Sequence, residues 1–305
     1  TIIDSLMKEA NKYNVEIRMN KEVKQLAVGS GQLTGAKPFE IQFADDSILY
    51  ADFVCIASGG YPKIMQYGWL KRSDHAVEEP VPSLFTFNMP GNSITALMGV
   101  VVENTQVKIV GTKLSESGPL LITHWGMSGP AVLKLSAWGA RELAKADYGF
   151  SILVNWIPDF NENTLRDKMQ QLRFELAAQK IINRNPFVLP NRLWEYLLVQ
   201  SGVHPDLRWA DLPAKEQNRL IKNLCAQEFA VKGKTTFKEE FVTAGGIELN
   251  EIDFNTMQSK KHTGLFFAGE IINVDGITGG YNFQNAWTTG WIAAKAIATF
   301  KSLIV

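Results

Sequence analysis

The sequence predicts an α/β fold in which one mixed-sheet domain is interrupted by an insert of β structure and helices. Three observations carry this reading. Strand-like runs lead up to an apolar stretch that stops at Ser58-Gly59-Gly60. From Asn163 to about Ala230 the periodicity turns helical. The chain then returns to a strand, a glycine-rich turn and a long helix. With 305 residues, 46% of them hydrophobic and 20% charged, there is material for about two packed domains. An interrupted domain accounts for this order more simply than two domains in series.

Thr1 to Asn14 places Ile2, Ile3, Leu6, Ala10 and Tyr13 near helical spacing and reads as the body of a helix, so the chain reads as a piece of a longer protein. Val15 to Met19 alternates and reads as a short strand. Val23 to Val28 and Phe39 to Phe43 read as arms of an antiparallel hairpin that Ser47 to Tyr50 extends. Asp52 to Ala57 is apolar enough to be buried on both faces of a sheet. Pro80, Pro82 and Pro90 mark a crossing between domains.

Val100 to Val110, Leu120 to Thr123 and residues 150–157 read as strands. Between them, Ser128-Gly129-Pro130 opens a helix to about Ala144, with Ser as its cap and Pro in its first turn. Leu165, Met169, Leu172 and Leu176 form an apolar stripe, and Leu193, Tyr196, Leu197, Leu220 and Leu224 continue it. These read as core rather than as a partner surface. Phe237 to Val242 and Gly264 to Ala268 return to strand character, and Phe283 to Phe300 closes the chain as a helix. The expected domains are 1–80, then an insert over 81–242 with a helical part at about 160–232, then 243–305.

Composition excludes several classes. Lys and Arg total 31, as do Asp and Glu, a formal net charge of zero. That argues against general binding to nucleic acid or anionic membranes, which need clustered cations. The expected partner is a small-molecule substrate, with no nucleic acid and no membrane. No apolar run approaches the ~20 residues of a membrane-spanning helix. Cys55 and Cys225 make neither a disulfide framework nor a zinc site, and they read as buried, reduced thiols of a cytoplasmic protein. His75, His204 and His262 lack metal-ligand spacing, so no metal is expected.

The most informative stretch is Thr263 to Gly290, TGLFFAGEIINVDGITGGYNFQNAWTTG. A buried strand runs into Gly269-Glu270, and Gly279-Gly280 sit where a long helix begins. Glycines there let a ligand approach the backbone, and a helix start presents free N–H groups and positive potential. The Glu270 carboxylate can accept hydrogen bonds from sugar-like hydroxyls. A bare strand-to-helix turn is the alternative, but Asn273, Asp275, Thr278, Asn282, Gln284 and Asn285 crowd the turn with polar groups and favour a ligand. Ala57-Ser58-Gly59-Gly60 is a second, weaker glycine turn at a strand end.

These runs, with THWGMSGPAVL and FVTAGGI, resemble flavoproteins of the two-dinucleotide-binding-domain FAD fold. In particular they resemble the bacterial aminoacetone-oxidase-type, or BaiN-like, FAD-binding oxidoreductases, which include bile-acid reductases. The resemblance covers nearly the whole chain. It implies an FAD-binding Rossmann-like domain interrupted by a β-barrel-like and helical insert. It places Val23 against the adenine, Ala57, Ser58, Gly59 and Gly60 near the FAD, and Gly269 and Glu270 at the ribitol. Gly279, Gly280, Tyr281, Asn282 and Gln284 then face the ring, and Asp275, Gly276, Ile277 and Thr278 join them as cofactor-binding residues. The wider class has Asp where this chain has Glu270. It also opens on a strand, a G-x-G-x-x-G turn and a helix that hold the pyrophosphate. Here the nearest match, Gly29-Ser30-Gly31 with Gly35, lies between hairpin arms and lacks the following helix, so the present chain is expected to bind FAD weakly or not at all and to be inactive alone.

The resemblance implies an FAD-dependent oxidoreductase that transfers hydride at flavin N5 to a small organic substrate, with NAD(P)H as hydride donor. An oxygen-using oxidase of an amine-type substrate is the alternative. So is a non-catalytic flavin-binding redox sensor or interaction module. His124, in His124-Trp125-Gly126-Met127-Ser128, is the one candidate acid/base, with a helix cap and a packed Trp as the alternative.

Overall fold

The computed structural model describes residues 1–29, 38–71, 73–235 and 242–304. Helix α1 (Ile2–Lys12) is capped by Thr1, whose hydroxyl accepts the Asp4 N–H. No residue of α1 is buried, and its apolar face of Ile2, Ile3 and Leu6 is exposed. The strand expected at 15–19 does not form. Asn14 (φ 53) and Asn20 (φ 58) adopt left-handed backbone on either side of it, which breaks any extended run.

Strands β1 (Val23–Val28), β2 (Phe39–Phe43) and β3 (Ile48–Ala51) make an antiparallel meander. β4 (Val54–Ile56) follows, then the short helix α2 (Gly68–Lys71). β5 (Val77–Ser83) carries the chain out, and β6 (Thr86–Asn88), β7 (Val101–Ile109), β8 (Ser115–Ile122) and β9 (Gly126–Ser128) begin a second sheet. Helices α3 (Pro130–Trp138) and α4 (Ala140–Lys145) meet at Gly139 instead of forming one helix. Gly139 packs against the Leu135 carbonyl and the side chains of Leu114 and Leu143, leaving about 3 Å for any Cβ. The cap of α3 is Gly129 at φ 94, and Ser128 belongs to β9. Only the proline at the helix start follows expectation.

β10 (Gly149–Asn155) leads to helices α5 (Glu162–Glu175), α6 (Asn191–Ser201) and α7 (Ala214–Cys225). Their inward stripes are buried, including Leu165, Met169, Leu172, Leu193, Leu197, Leu220 and Leu224. Helical structure stops at Cys225, not at 230: Gln227 to Lys232 alternates buried and exposed residues and forms β11 (Gln227–Lys232). β12 (Lys234–Thr235) follows directly through Gly233. The sheet order is β11-β10-β7-β8-β9-β6-β12, and every pairing is antiparallel. Because its two edge strands are joined by one glycine, this sheet must curl on itself into a barrel. The barrel and the three helices share one apolar core.

β13 (Val242–Ile247) pairs with β5, so the outgoing and returning chain run side by side. Of the strand expected at 237–242, only Val242 lies within the described residues. β14 (Ile252–Asp253), β15 (Gln258–Ser259) and β16 (Leu265–Phe267) form a sheet with β4. The last helix, α8 (Tyr281–Ile304), packs with these strands and the meander in a second core. Among the described strand pairs β4–β16 alone is parallel, beside an isolated parallel bridge from Ile247 to Ile272, so these sheets do not by themselves make up the Rossmann-like domain expected.

Candidate functional site

β4 and β16 run parallel in the register Val54–Leu265, Cys55–Phe266 and Ile56–Phe267, and the Ala268 N–H donates to the Ile56 carbonyl at 2.9 Å. Both glycine motifs therefore leave the same carboxyl edge. Gly60 lies against Thr243, with 3.0 Å between its would-be Cβ and the Thr243 Cβ, and its N–H bonds to the Glu270 carboxylate. Burial pushes the Glu270 carboxyl above the usual range, against that hydrogen bond. The Gly269 N–H donates to Thr289 Oγ1 on α8 at 2.8 Å.

The loop from Asn273 to Gly280 then climbs to the start of α8. Asn282 clamps it in both directions: the Gly276 N–H donates to Asn282 Oδ1 at 2.7 Å, and Asn282 Nδ2 donates to the Gly276 carbonyl at 3.0 Å. The first helical bond runs from Gln284 N–H to the Gly280 carbonyl, at 2.9 Å. Among the described residues no protein group takes the N–H of residues 277–280. These free donors, at the positive end of a 24-residue helix, form one wall of a cavity of about 700 Å³.

That cavity is lined by Ala57, Gly59, Gly269, Glu270, Ile277, Thr278, Gly279, Gly280 and Asn282 of the expected set. A second cavity of about 570 Å³ runs along β4, where Val23, Ala57 and Ser58 meet Lys21, Cys55 and Trp69. Ala57 lines both. Cys55 is exposed in this second cavity, contrary to the buried thiol expected, because β4 is an edge strand; Cys225 is buried. Gly60 and Gly276 pack behind the first cavity and line neither space. Tyr281 is exposed over Gly276, and Gln284 turns along the helix to Thr288 at 2.9 Å. Asp275 accepts a hydrogen bond from Ser83 at 3.0 Å.

His124 is not brought to either cavity. It sits exposed on the turn between β8 and β9, with its ring against Trp125 at 3.8 Å between centroids. Sequence reasoning missed Leu84 and Val242, which overhang the cavity from the crossing strands, and Phe283, Ala286 and Gly290 on α8. The spacing of the last three along one helical face was a legible signal; nothing local marked the first two. A larger space of about 770 Å³, between the barrel and the helices, carries none of the expected residues.

A flavin fits the 700 Å³ site by its donor set. Gly279 (φ 116) and Gly280 (φ 90) expose backbone, and a Cβ on Gly280 would meet nothing within 4 Å. Leu84, Ile277 and Phe283 supply apolar surface for a ring, and the unpaired N–H groups suit its electron-rich pyrimidine edge. A pyrophosphate cradle is not among these groups. Of the Gly29-Ser30-Gly31-Gly35 stretch, Gly29 donates to the Pro38 carbonyl at 2.8 Å within the hairpin, and residues 30–37 lie outside the described residues.

Residues 81–242, the barrel and its helices, match the family described as HI0933-like protein barrel and H2TH domain. The chain belongs to the HI0933-like family. It is 30% identical over 311 residues to a ribosomal RNA dihydrouridine synthase of Escherichia coli (strain K12), covering 99% of this chain and 72% of that protein. It is 28% identical to the enzyme of the same name from Haemophilus influenzae, covering 97% of this chain and 72% of that protein. It is 25% identical to a 3-dehydro-bile acid delta(4,6)-reductase of Clostridium scindens, covering 98% and 73%.

These HI0933-like relatives are enzymes, and the reductase among them places the family with oxidoreductases at the level of class. The bile-acid side of the expected resemblance has a counterpart here; the aminoacetone-oxidase side has none among these three. The exclusion of nucleic acid is overturned, because two relatives are named for ribosomal RNA. A net charge sums over the whole chain, whereas a phosphate backbone meets only local cations, and 31 Lys and Arg remain to supply them. No helix among the described residues is long and apolar enough to cross a membrane.

Proposed function

We propose that this chain carries the ring-binding part of an FAD-dependent, NAD(P)H-linked reductase that saturates a carbon–carbon double bond conjugated to a carbonyl. One observation carries the reading: two glycine motifs and the start of α8, far apart in sequence, converge on one cavity. Residues 1–80 and 243–305 form the cofactor side, and 81–242 form the cover that defines the substrate space. Glu270 would hold ribityl hydroxyls, Gly269 and Gly279–Gly280 would let the ring lie against backbone, and the free N–H groups at 277–280 would stabilise negative charge on it. Val23 and Ser58 would border the adenine half. A bound flavin supplies hydride transfer at N5. Leu84, Val242 and Phe283 exclude water from the ring side of the cavity.

The relatives' names support the reaction class. Dihydrouridine is uridine with two hydrogens added across a ring double bond beside a carbonyl, and the bile-acid name states the same change beside a 3-oxo group. An RNA uracil is therefore the first substrate to try. The full-length protein, purified, is expected to show flavin absorption bands that NADPH or NADH bleaches without oxygen, and to form dihydrouridine in a ribosomal RNA transcript, read by mass spectrometry. The present 305-residue chain is expected to hold FAD more weakly, because the relatives carry further residues it does not cover. Absence of flavin in the full-length protein after adding FAD would refute the reading. Peroxide from an amine without NAD(P)H oxidation would replace it with an oxidase.

A further inference from the structure

The loop that lines the ring side of the cavity belongs to the second core, yet two of its side chains are held from the barrel side. Arg141 on α4 donates from Nη1 to Glu78 Oε1 at 2.9 Å and to the Glu79 carbonyl at 3.3 Å. Its Nη2 donates to Asn273 Oδ1 at 3.1 Å. Ser83, fully buried at the end of β5, donates to Asp275 Oδ2 at 3.0 Å. Behind the loop the backbones are pressed together: a Cβ on Gly246 would stand 2.4 Å from the Ile271 carbonyl, and one on Gly245 would stand 2.7 Å from Pro80 Cα. With Asn282 clamping Gly276, the segment 271–276 is fixed at every second residue or closer, while 277–280 stays open to the cavity.

We infer that Arg141 and Ser83 are positioning residues that set the shape of the ring-side loop from the barrel side, so that docking the barrel and forming the cradle are one event. The inference rests on the reading that this loop bears the flavin ring. Neither residue lines the cavity. Arg141 is 39% exposed, so its pairing with Glu78 contributes little by charge alone. What it supplies is geometry: a planar fork spans two acceptors on different segments, which an ammonium cannot do with the same directionality.

The test uses the full-length protein with Arg141→Ala, Arg141→Lys and Ser83→Ala. Hydrogen exchange is followed by mass spectrometry without FAD, and FAD affinity by fluorescence titration. Arg141→Ala is expected to speed exchange across residues 271–280 by about tenfold and weaken FAD by about tenfold, with the absorption bands shifted. Ser83→Ala is expected to act in the same direction, and Arg141→Lys to restore only part of the loss. Exchange in β8 reports on the fold and is expected to stay unchanged. Unchanged exchange at 271–280 in all three variants would overturn the inference. So would faster exchange with FAD affinity and spectrum intact, which would make the contacts merely structural. If the unaltered full-length protein binds no FAD, the reading beneath the inference falls, whatever the exchange shows.

Discussion

At the scale of single residues, the glycines divide into two kinds that a sequence writes with the same letter. Gly246 (φ 123) is a packing glycine, since any Cβ there strikes the Ile271 carbonyl at 2.4 Å. Gly280 (φ 90) borders open space. Alanine at Gly280 is expected to lower stability by only about 1 kcal/mol, the cost of left-handed backbone, while weakening FAD about tenfold or more. Alanine at Gly246 is expected to cost about 3–5 kcal/mol, because overpacking adds to the backbone term. Denaturant midpoints with FAD titrations of both variants check this, and the reverse ranking would remove Gly280 from the ligand surface. The Ala244-Gly245-Gly246 run of β13 thus acquires a physical reason: three backbones cross where no side chain fits.

At the scale of elements, β16 is supported from behind by a buried histidine. His75 is 3% exposed and packs edge-on against Phe267. Ser259 Oγ already accepts the N–H groups of Lys261 and His262, so its own proton goes to His75 Nε2 at 2.8 Å. Ser73 Oγ donates to the Leu70 carbonyl, so it accepts from His75 Nδ1 at 2.9 Å. The Ser259 contact requires the neutral ring, because it makes Nε2 an acceptor, whereas the Nδ1–H donation to Ser73 suits either form. Desolvation, and then the neighbouring His262, bring the His75 pKa down to about 4, with Glu251, Asp74 and Lys261 also facing it.

The unfolded chain takes up this proton near 6.5 and the folded chain only near 4, so stability is complete above about 6.5 and falls as pH drops toward 4, by up to about 3 kcal/mol. Urea unfolding at pH 7 and 4.5 is expected to show this loss in the unaltered chain and a smaller loss in His75→Gln. Equal losses would exonerate His75. Helix α1 behaves oppositely: with no residue buried, Leu6→Gln is expected to move the midpoint by less than about 0.5 kcal/mol. Its amphipathic spacing was legible in the sequence, but spacing states which face is apolar and not whether anything covers it.

At the scale of the molecule, two cores meet across the β5–β13 ribbon, and the candidate site opens at that junction. If RNA is the substrate, its binding and the cofactor's should respond differently to salt. Apparent affinity of the full-length protein for a ribosomal RNA transcript is expected to fall by about tenfold or more between 50 and 200 mM salt, following release of counterions. FAD affinity is expected to change far less over the same range. A salt-independent RNA interaction would argue against contact with the phosphate backbone.

Much of this architecture was legible in the chain because it is local. Helical stripes such as Leu165–Met169–Leu172, the apolar runs of β4 and β16, and the glycines before α8 are written in consecutive residues, where side-chain period and backbone freedom act directly. Regular structure departs from expectation where a few residues decide, as at Asn14 and Asn20 around 15–19, or where the alternation of 227–232 directly follows a helical stretch. What the tertiary structure alone decided are relations between distant segments. It brought Ala57 beside Gly269 by parallel pairing, set Leu84 and Val242 over the cavity, joined Arg141 to Asn273, buried His75 between two serines, and left His124 outside the site. Such contacts depend on which surfaces pack, and packing is set by the sum of many weak apolar contacts over the whole chain, which no single stretch of sequence records.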